Sequence, residues 1–217
     1  MKKNAVIGAT IVASLALVSA VTFAGVSNAS VNEENISEDN IYATIAFGDG
    51  DTIIDMEDTG ELYDYADLVV IGTVTEKYDA TMSELSPFPY TPSQLKVDKV
   101  IKGEVNDDTI NFYVAGGSVS VKDFIYGNPN LTERAEKMGL TSLSESEQER
   151  KYIQYISNHK KEYDVGQQYI IALKSCSDSG YTVIADDGFL ELEDASVIND
   201  INSKEDVVRF AKKINKA

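Results

Sequence analysis

Apolar residues recur along this chain mostly with a spacing of two, and that pattern predicts a set of short strands. Leu68-Val69-Val70-Ile71-Gly72-Thr73-Val74-Thr75 is a near-continuous apolar, β-branched run, the form expected of a central strand. Gln94-Leu95-Lys96-Val97-Asp98 alternates and continues through Val100-Ile101 to a turn at Lys102-Gly103. Ile110, Phe112 and Val114 alternate with Asn111 and Tyr113; Gly116-Gly117 breaks that strand, and Val119 and Val121 restart the alternation. Tyr169-Ile170-Ile171-Ala172-Leu173 predicts another buried strand, paired with Tyr181-Thr182-Val183-Ile184-Ala185 across a Ser-Asp-Ser-Gly turn, and Phe189 to Leu192 closes the set. Residues 41–56 contain Ile41, Ile45, Phe47, Ile53 and Ile54, which fit either a strand or a loop added to the core.

Helical spacing is rarer. Residues 61–67 predict a short helix leading into the first central strand. Ser144 followed by Glu147 is a capping box that opens a helix to about Lys160, with Tyr152, Ile153 and Ile156 on one side. Ser203 followed by Asp206 opens another, with Val207, Phe210, Ala211 and Ile214 at helical spacing; Lys212, Lys213 and Lys216 suit the negative end of its dipole. Six or seven short strands with Gly-marked turns predict a β-rich (α+β) domain. Gly72 inside a central strand suits the strong bend of a small barrel. The expected architecture is a small OB-like (oligonucleotide/oligosaccharide-binding) Greek-key barrel with an inserted helix and a C-terminal helix.

Both ends of the chain bear on where the domain works. Met1-Lys2-Lys3 precedes an apolar run from Ala5 to about Val26, and Ser27-Asn28-Ala29 places small residues at the −3 and −1 positions of a cleavage site. This predicts a signal peptide over residues 1–29 and a secreted chain beginning at Ser30, extracellular or loosely associated with the cell surface. An uncleaved anchor is the competing reading, because the run is long enough to span a bilayer. No cysteine lies near the cleavage point and residues 211–217 carry no hydrophobic tail, so no stable membrane insertion is expected after cleavage. Residues 30–56 read as an acidic leader, partly disordered, and 57–217 as a single barrel domain with a helical insertion at about 123–165.

The chain carries 36 acidic against 19 basic side chains, a net charge of −17, and cleavage would remove Lys2 and Lys3 and no acid. So negative a surface excludes nucleic acid as an expected partner, since phosphates are held by Lys and Arg. It disfavours anionic membranes for the same reason.

Taken in order, Ala66-Asp67-Leu68-Val69-Val70-Ile71-Gly72-Thr73-Val74, then Val97-Asp98-Lys99-Val100-Ile101-Lys102-Gly103, then Gly116-Gly117 carry a resemblance that continues downstream. Val165-Gly166-Gln167-Gln168-Tyr169-Ile170-Ile171-Ala172-Leu173 and Tyr181-Thr182-Val183 with Gly188-Phe189 complete it. Over about residues 60–193 the chain resembles a group of exported bacterial proteins with an OB-like barrel similar to that of tissue inhibitors of metalloproteinases. The resemblance implies a barrel and export, and no particular activity. Those inhibitors chelate the protease zinc through an N-terminal cysteine, and no cysteine lies near Ser30, so that chemistry is not carried over.

Candidate chemistry is sparse. The chain has one histidine, His159, and one cysteine, Cys176. His159 reads as a solvated group at a helix end, and Cys176 as a surface thiol in the turn between two strands. The sequence contains no Gly-x-Ser-x-Gly elbow and no His-Glu-x-x-His pair. Acidic loops at Asp49 and Asp51 and at Asp186 and Asp187 are weak calcium candidates without the spacing of a known calcium loop. No metal or other cofactor is expected. Residues 86–92 hold three of the four prolines and read as a stiff rim loop bearing Phe88 and Tyr90. With Tyr113 and Tyr126, these aromatics are the candidate binding residues, because aromatic side chains offer large contact area at little entropic cost. The expectation is a non-enzymatic binding or interaction protein with an unidentified protein or glycan partner. A carboxylate-dependent hydrolase of the envelope is the alternative.

Overall fold

The computed structural model describes residues 36–47, 55, 58–83, 86–157, 163–176, 180–184, 188–192 and 195–214. Residues 1–29, read from the sequence as a signal peptide, lie outside them. The described part is β-rich, with short helices around two sheets.

The larger sheet starts where the β-branched run is densest. Strand β2 (Leu68–Lys77) pairs antiparallel with β4 (Ser86–Lys102), which pairs antiparallel with β5 (Thr109–Ala115). A short β3 (Thr81–Ser83) also lies against β4. On the other side of β2 lies β8 (Gln168–Cys176), antiparallel, with β10 (Phe189–Glu191) beyond it. Strand β9 (Gly180–Val183) pairs antiparallel with β8 and parallel with β5, so β2, β4, β5, β9 and β8 form a ring of pairings.

Alternation within these strands builds two cores at once. Leu68, Val70 and Val74 of β2 meet Leu95, Ile110, Phe112, Val114, Tyr169, Ile171 and Leu173 inside the ring. Val69 and Ile71 face the other way, where with Ile170 of β8 they pack under α1 (Thr59–Tyr65) and α5 (Lys204–Ile214) through Leu62, Ala66 and Val207. That double burial is why residues 68–71 are apolar without interruption. The interior is filled by rings: Tyr163 stacks on Phe189 at 5.0 Å, and its hydroxyl lies 2.8 Å from that of Ser93.

Positive φ angles at Gly116 (99°) and Gly117 (115°) let the chain turn out of the ring into a second sheet. Here β6 (Gly117–Ser120) pairs with β7 (Tyr152–Ser157), and β7 pairs in parallel with β1 (Ile41–Phe47). Short helices α2 (Val121–Tyr126), α3 (Thr132–Lys137) and α4 (Glu145–Arg150) connect β6 to β7 and close a separate core of Phe124, Leu131, Ala135, Leu140, Ile153 and Tyr155.

One expectation changes here, and one left open is decided. The helix opened by Ser144 ends at Arg150 instead of continuing to Lys160; the capping box is present in both directions, but Lys151 is extended (φ −96°, ψ 145°). Residues 152–157 are β-branched and aromatic at alternate faces, with Ile153 and Tyr155 buried and Gln154 between them less so, and they become β7. Residues 41–47, which fitted either a strand or a loop, are a strand of the small sheet. The helix starting near Ser203 forms as read, with Asp206 accepting from the Asn202 N–H at 3.0 Å and from the Ser203 hydroxyl at 3.0 Å.

These carboxylate contacts set an acid limit. The Asn202 N–H and the Ser203 hydroxyl hold Asp206 below the usual carboxylate range, with Arg209 adding to the effect. Burial opposes the Asp67 charge, but the Lys174 ammonium at 2.7 Å and the Ser175 N–H at 3.0 Å outweigh it and also lower that pKa. A depressed carboxylate stabilises the fold fully above its unfolded pKa and loses that contribution as pH falls through the folded value. Melting temperature should therefore fall on acidification below about pH 4. Acid also relieves repulsion within a chain at −17, so the measurement that decides is the difference from Asp206→Asn. That variant should melt lower at pH 7, and the difference from the parent should shrink as pH falls through the lowered Asp206 pKa. Parallel pH profiles for the two would remove Asp206 from the account.

Candidate interaction surface

Alternation along β5 puts Ile110, Phe112 and Val114 inside the ring, so Tyr113 projects from its outer face. Tyr90 on β4 meets it edge to face, ring centroids 5.3 Å apart. Both tyrosines are 5% exposed. Burial pushes both hydroxyl pKa values up, and the nearby Cys176 adds to the effect at Tyr113. Backbone approaches closely here: a Cβ on Gly180 would sit 2.8 Å from the Tyr113 ring. The pair is thus a packed seam between β4, β5 and β9.

Phe88 is half-buried and belongs to the second core, stacked on Phe47 at 5.0 Å and edge-on to Tyr155 at 6.1 Å. Tyr126, at the end of α2, is 68% exposed and stands apart from the other three. The structure therefore brings Tyr90 and Tyr113 together, turns Phe88 toward a different core, and leaves Tyr126 as the one of the four that faces solvent.

Residues 86–92 are the first half of β4, not a rim loop. Proline fixes φ and biases the preceding residue toward extended backbone, which suits a strand as well as a loop. The missing N–H groups are tolerated because the carbonyls still pair: Gly116 donates to Pro89 at 2.8 Å and Tyr78 to Pro92 at 2.9 Å. Cys176 also differs from expectation. It is the last residue of β8, paired with Gly180, and half-buried, and burial raises its thiol pKa. A thiol so placed stays protonated at neutral pH and is a poor nucleophile.

The calcium candidates Asp49, Asp51, Asp186 and Asp187, and His159, lie outside the described residues. Among the described residues no three His, Cys, Asp or Glu are grouped to hold a metal ion. The carboxylates whose pKa moves, Asp67, Glu147 and Asp206, all move down, the direction of a cap or ion pair and not of a general acid. On the ring of strands Asp98 gathers three side-chain partners: Gln168 donates to it at 2.7 Å and Thr73 at 3.0 Å, with the Lys96 ammonium 3.8 Å away. That network ties β2, β4 and β8 together.

The segment that fitted a strand or a loop, at residues 41–47, forms the outer edge of the small sheet. Strand order there is β1-β7-β6, so β1 pairs on one side alone among the described residues. An uncharged seven-residue stretch, Ile41 to Phe47, between Asn40 and Gly48 with acids beyond them, was the signal available for it. No helix of the described residues is long and apolar enough to cross a membrane. Neither protein-family models nor curated proteins match this chain.

Proposed function

We propose that this chain is an exported, non-enzymatic binding protein built on an OB-like barrel. The observation that carries the reading is the strand ring. A meander of β2, β4 and β5 is closed by the β8–β9 hairpin, whose second strand returns parallel beside β5. That order fits a five-stranded Greek-key barrel of the oligonucleotide/oligosaccharide-binding type, a fold that works through its outer face and loops. It agrees with the resemblance to exported proteins with a tissue-inhibitor-like barrel. The filled interior, with Phe112, Tyr163 and Phe189 in contact, leaves the outside as the place of recognition. One histidine and one half-buried cysteine in the whole chain also weigh against nucleophilic chemistry.

Expression with the native leader in an exporting bacterium tests this directly. The secreted protein is expected to begin at Ser30, and when immobilised to retain a saturable protein or glycan from the extracellular fraction. Glycoside or peptide turnover by the same preparation, abolished by an Asp→Asn or Glu→Gln change, would overturn the reading in favour of the hydrolase.

A further inference from the structure

A β-sheet edge presents unpaired N–H and C=O groups, and proteins normally guard such an edge with lysine, proline, an inward charge or a bulge. Strand β1 is an edge of this kind. From Ala43 to Phe47 it pairs residue by residue with Ile153 to Ser157 of β7, and among the described residues no strand lies on its other side. A bulge between Ile41 and Ala43 guards the first turn of the strand, where the Tyr42 hydroxyl donates to the Met138 carbonyl at 3.1 Å. Beyond it, Ala43-Thr44-Ile45-Ala46-Phe47 has no charge and no proline. Ala43, Ile45 and Phe47 are anchored in the second core, while Thr44 and Ala46 are exposed. The strand is held from below and, among the described residues, unpaired at its rim, the arrangement that accepts an added strand.

Charge selects the occupant. Glu38 and Asp39 stand just before the strand, with Asn40 between, and the nearby Lys151 ammonium is engaged with the Asp39 carbonyl at 2.5 Å. A second copy of the chain would bring another −17 to the contact. We propose that the open edge of β1 is a strand-addition site for an extended peptide segment, uncharged and β-branched at its centre and carrying Lys or Arg where it passes Glu38 and Asp39. This rests on the interaction-protein reading above and gives it a site and a partner class.

The probe is a fluorescein-labelled peptide, Lys-Arg-Thr-Val-Thr-Val-Thr, titrated into the mature protein and followed by anisotropy. Saturable binding is expected, at least tenfold weaker for a probe with Glu-Glu in place of Lys-Arg. Binding should also be at least tenfold weaker for a same-charge probe with prolines at alternate positions, which cannot pair as a strand. Ala46→Lys, at an exposed position, should keep the parent's melting temperature and weaken the first probe by a similar factor. Thr44→Lys is the second variant should the first unfold. Equal binding of the proline probe would mean electrostatic adhesion alone and overturn the proposal. So would a concentration-dependent dimer in sedimentation that Ala46→Lys abolishes, which would give the edge to a second copy. If Ala46→Lys leaves capture from the extracellular fraction intact and the peptide fails to bind, this site falls and the binding reading stands. If the parent captures nothing, that reading falls with it.

Discussion

Replacing Gly72 with alanine is expected to destabilise the protein by about 3 kcal/mol, the upper range for forcing atoms into a packed core. For a domain of this size that is a fall in melting temperature of roughly 6–12 °C. Gly72 lies in β2 between Val97 on β4 and Tyr169 on β8, beside a register shift in the β2–β4 ladder. A Cβ there would sit 2.6 Å from the Lys96 carbonyl oxygen and 2.7 Å from the Leu95 side chain. Neither neighbour can give way cheaply. The carbonyl is part of a paired strand, and Leu95 is buried in the barrel core. Gly166→Ala is the control, because Gly166 has φ +88° with nothing within 4 Å of its would-be Cβ. Its cost should be left-handed backbone strain alone, about 1–2 kcal/mol. Urea titrations of both variants check the ranking. A Gly72→Ala protein within 1 kcal/mol of the parent, an allowance well under the usual overpacking cost, would mean the two strands do not cross so closely at that point.

Gly72 was readable in advance as a bend in an otherwise β-branched run, but not as a close crossing with β4. Strands β2, β5 and β8 were readable too, because their alternation depends on neighbouring residues only. Strand β7 was not readable. Tyr152-Ile153-Gln154-Tyr155-Ile156 satisfies a helical template as well as an extended one, and a true capping box stands just upstream. What decides between them is a partner far away in the chain: Thr44 and Gln154, 110 residues apart, lie side by side. The proline segment failed for a related reason. Its missing N–H groups are visible in the sequence, whereas the Gly116 and Tyr78 donors that reach its carbonyls are supplied by the fold. At the candidate surface, the period of two had already set Tyr113 opposite Phe112. It could not show that Tyr90 and the bare backbone of Gly180 cover that face. The uncharged stretch 41–47 is plain in the sequence, but its standing as an edge depends on the strand order of a sheet assembled from three separated segments.

Tyr155 joins those segments, and its two simplest replacements should act in opposite directions. Its ring lies 6.4 Å from Phe47 of β1, 6.1 Å from Phe88 of β4 and 6.3 Å from Phe124 of α2. The Arg134 guanidinium of α3 is 6.0 Å from the ring centroid. Tyr155→Ala would leave a cavity where four elements meet and should cost about 3–5 kcal/mol. Because β7 is the one strand that pairs with β1 among the described residues, amides of residues 43–47 should lose hydrogen-exchange protection before those of β2 or β8. The hydroxyl is a different matter. It is buried without a hydrogen-bond partner among the described residues, and burial raises its pKa. An unsatisfied buried hydroxyl is worth about 1–3 kcal/mol of destabilisation, so Tyr155→Phe should leave stability unchanged or raise it. Thermal melts of the two variants, read with exchange at β1, decide the matter. A Tyr155→Phe protein clearly less stable than the parent would show that the hydroxyl has a partner. A Tyr155→Ala protein that loses protection uniformly would show that the small sheet and the barrel unfold as one unit, with β1 no weaker than the strands that ring the core.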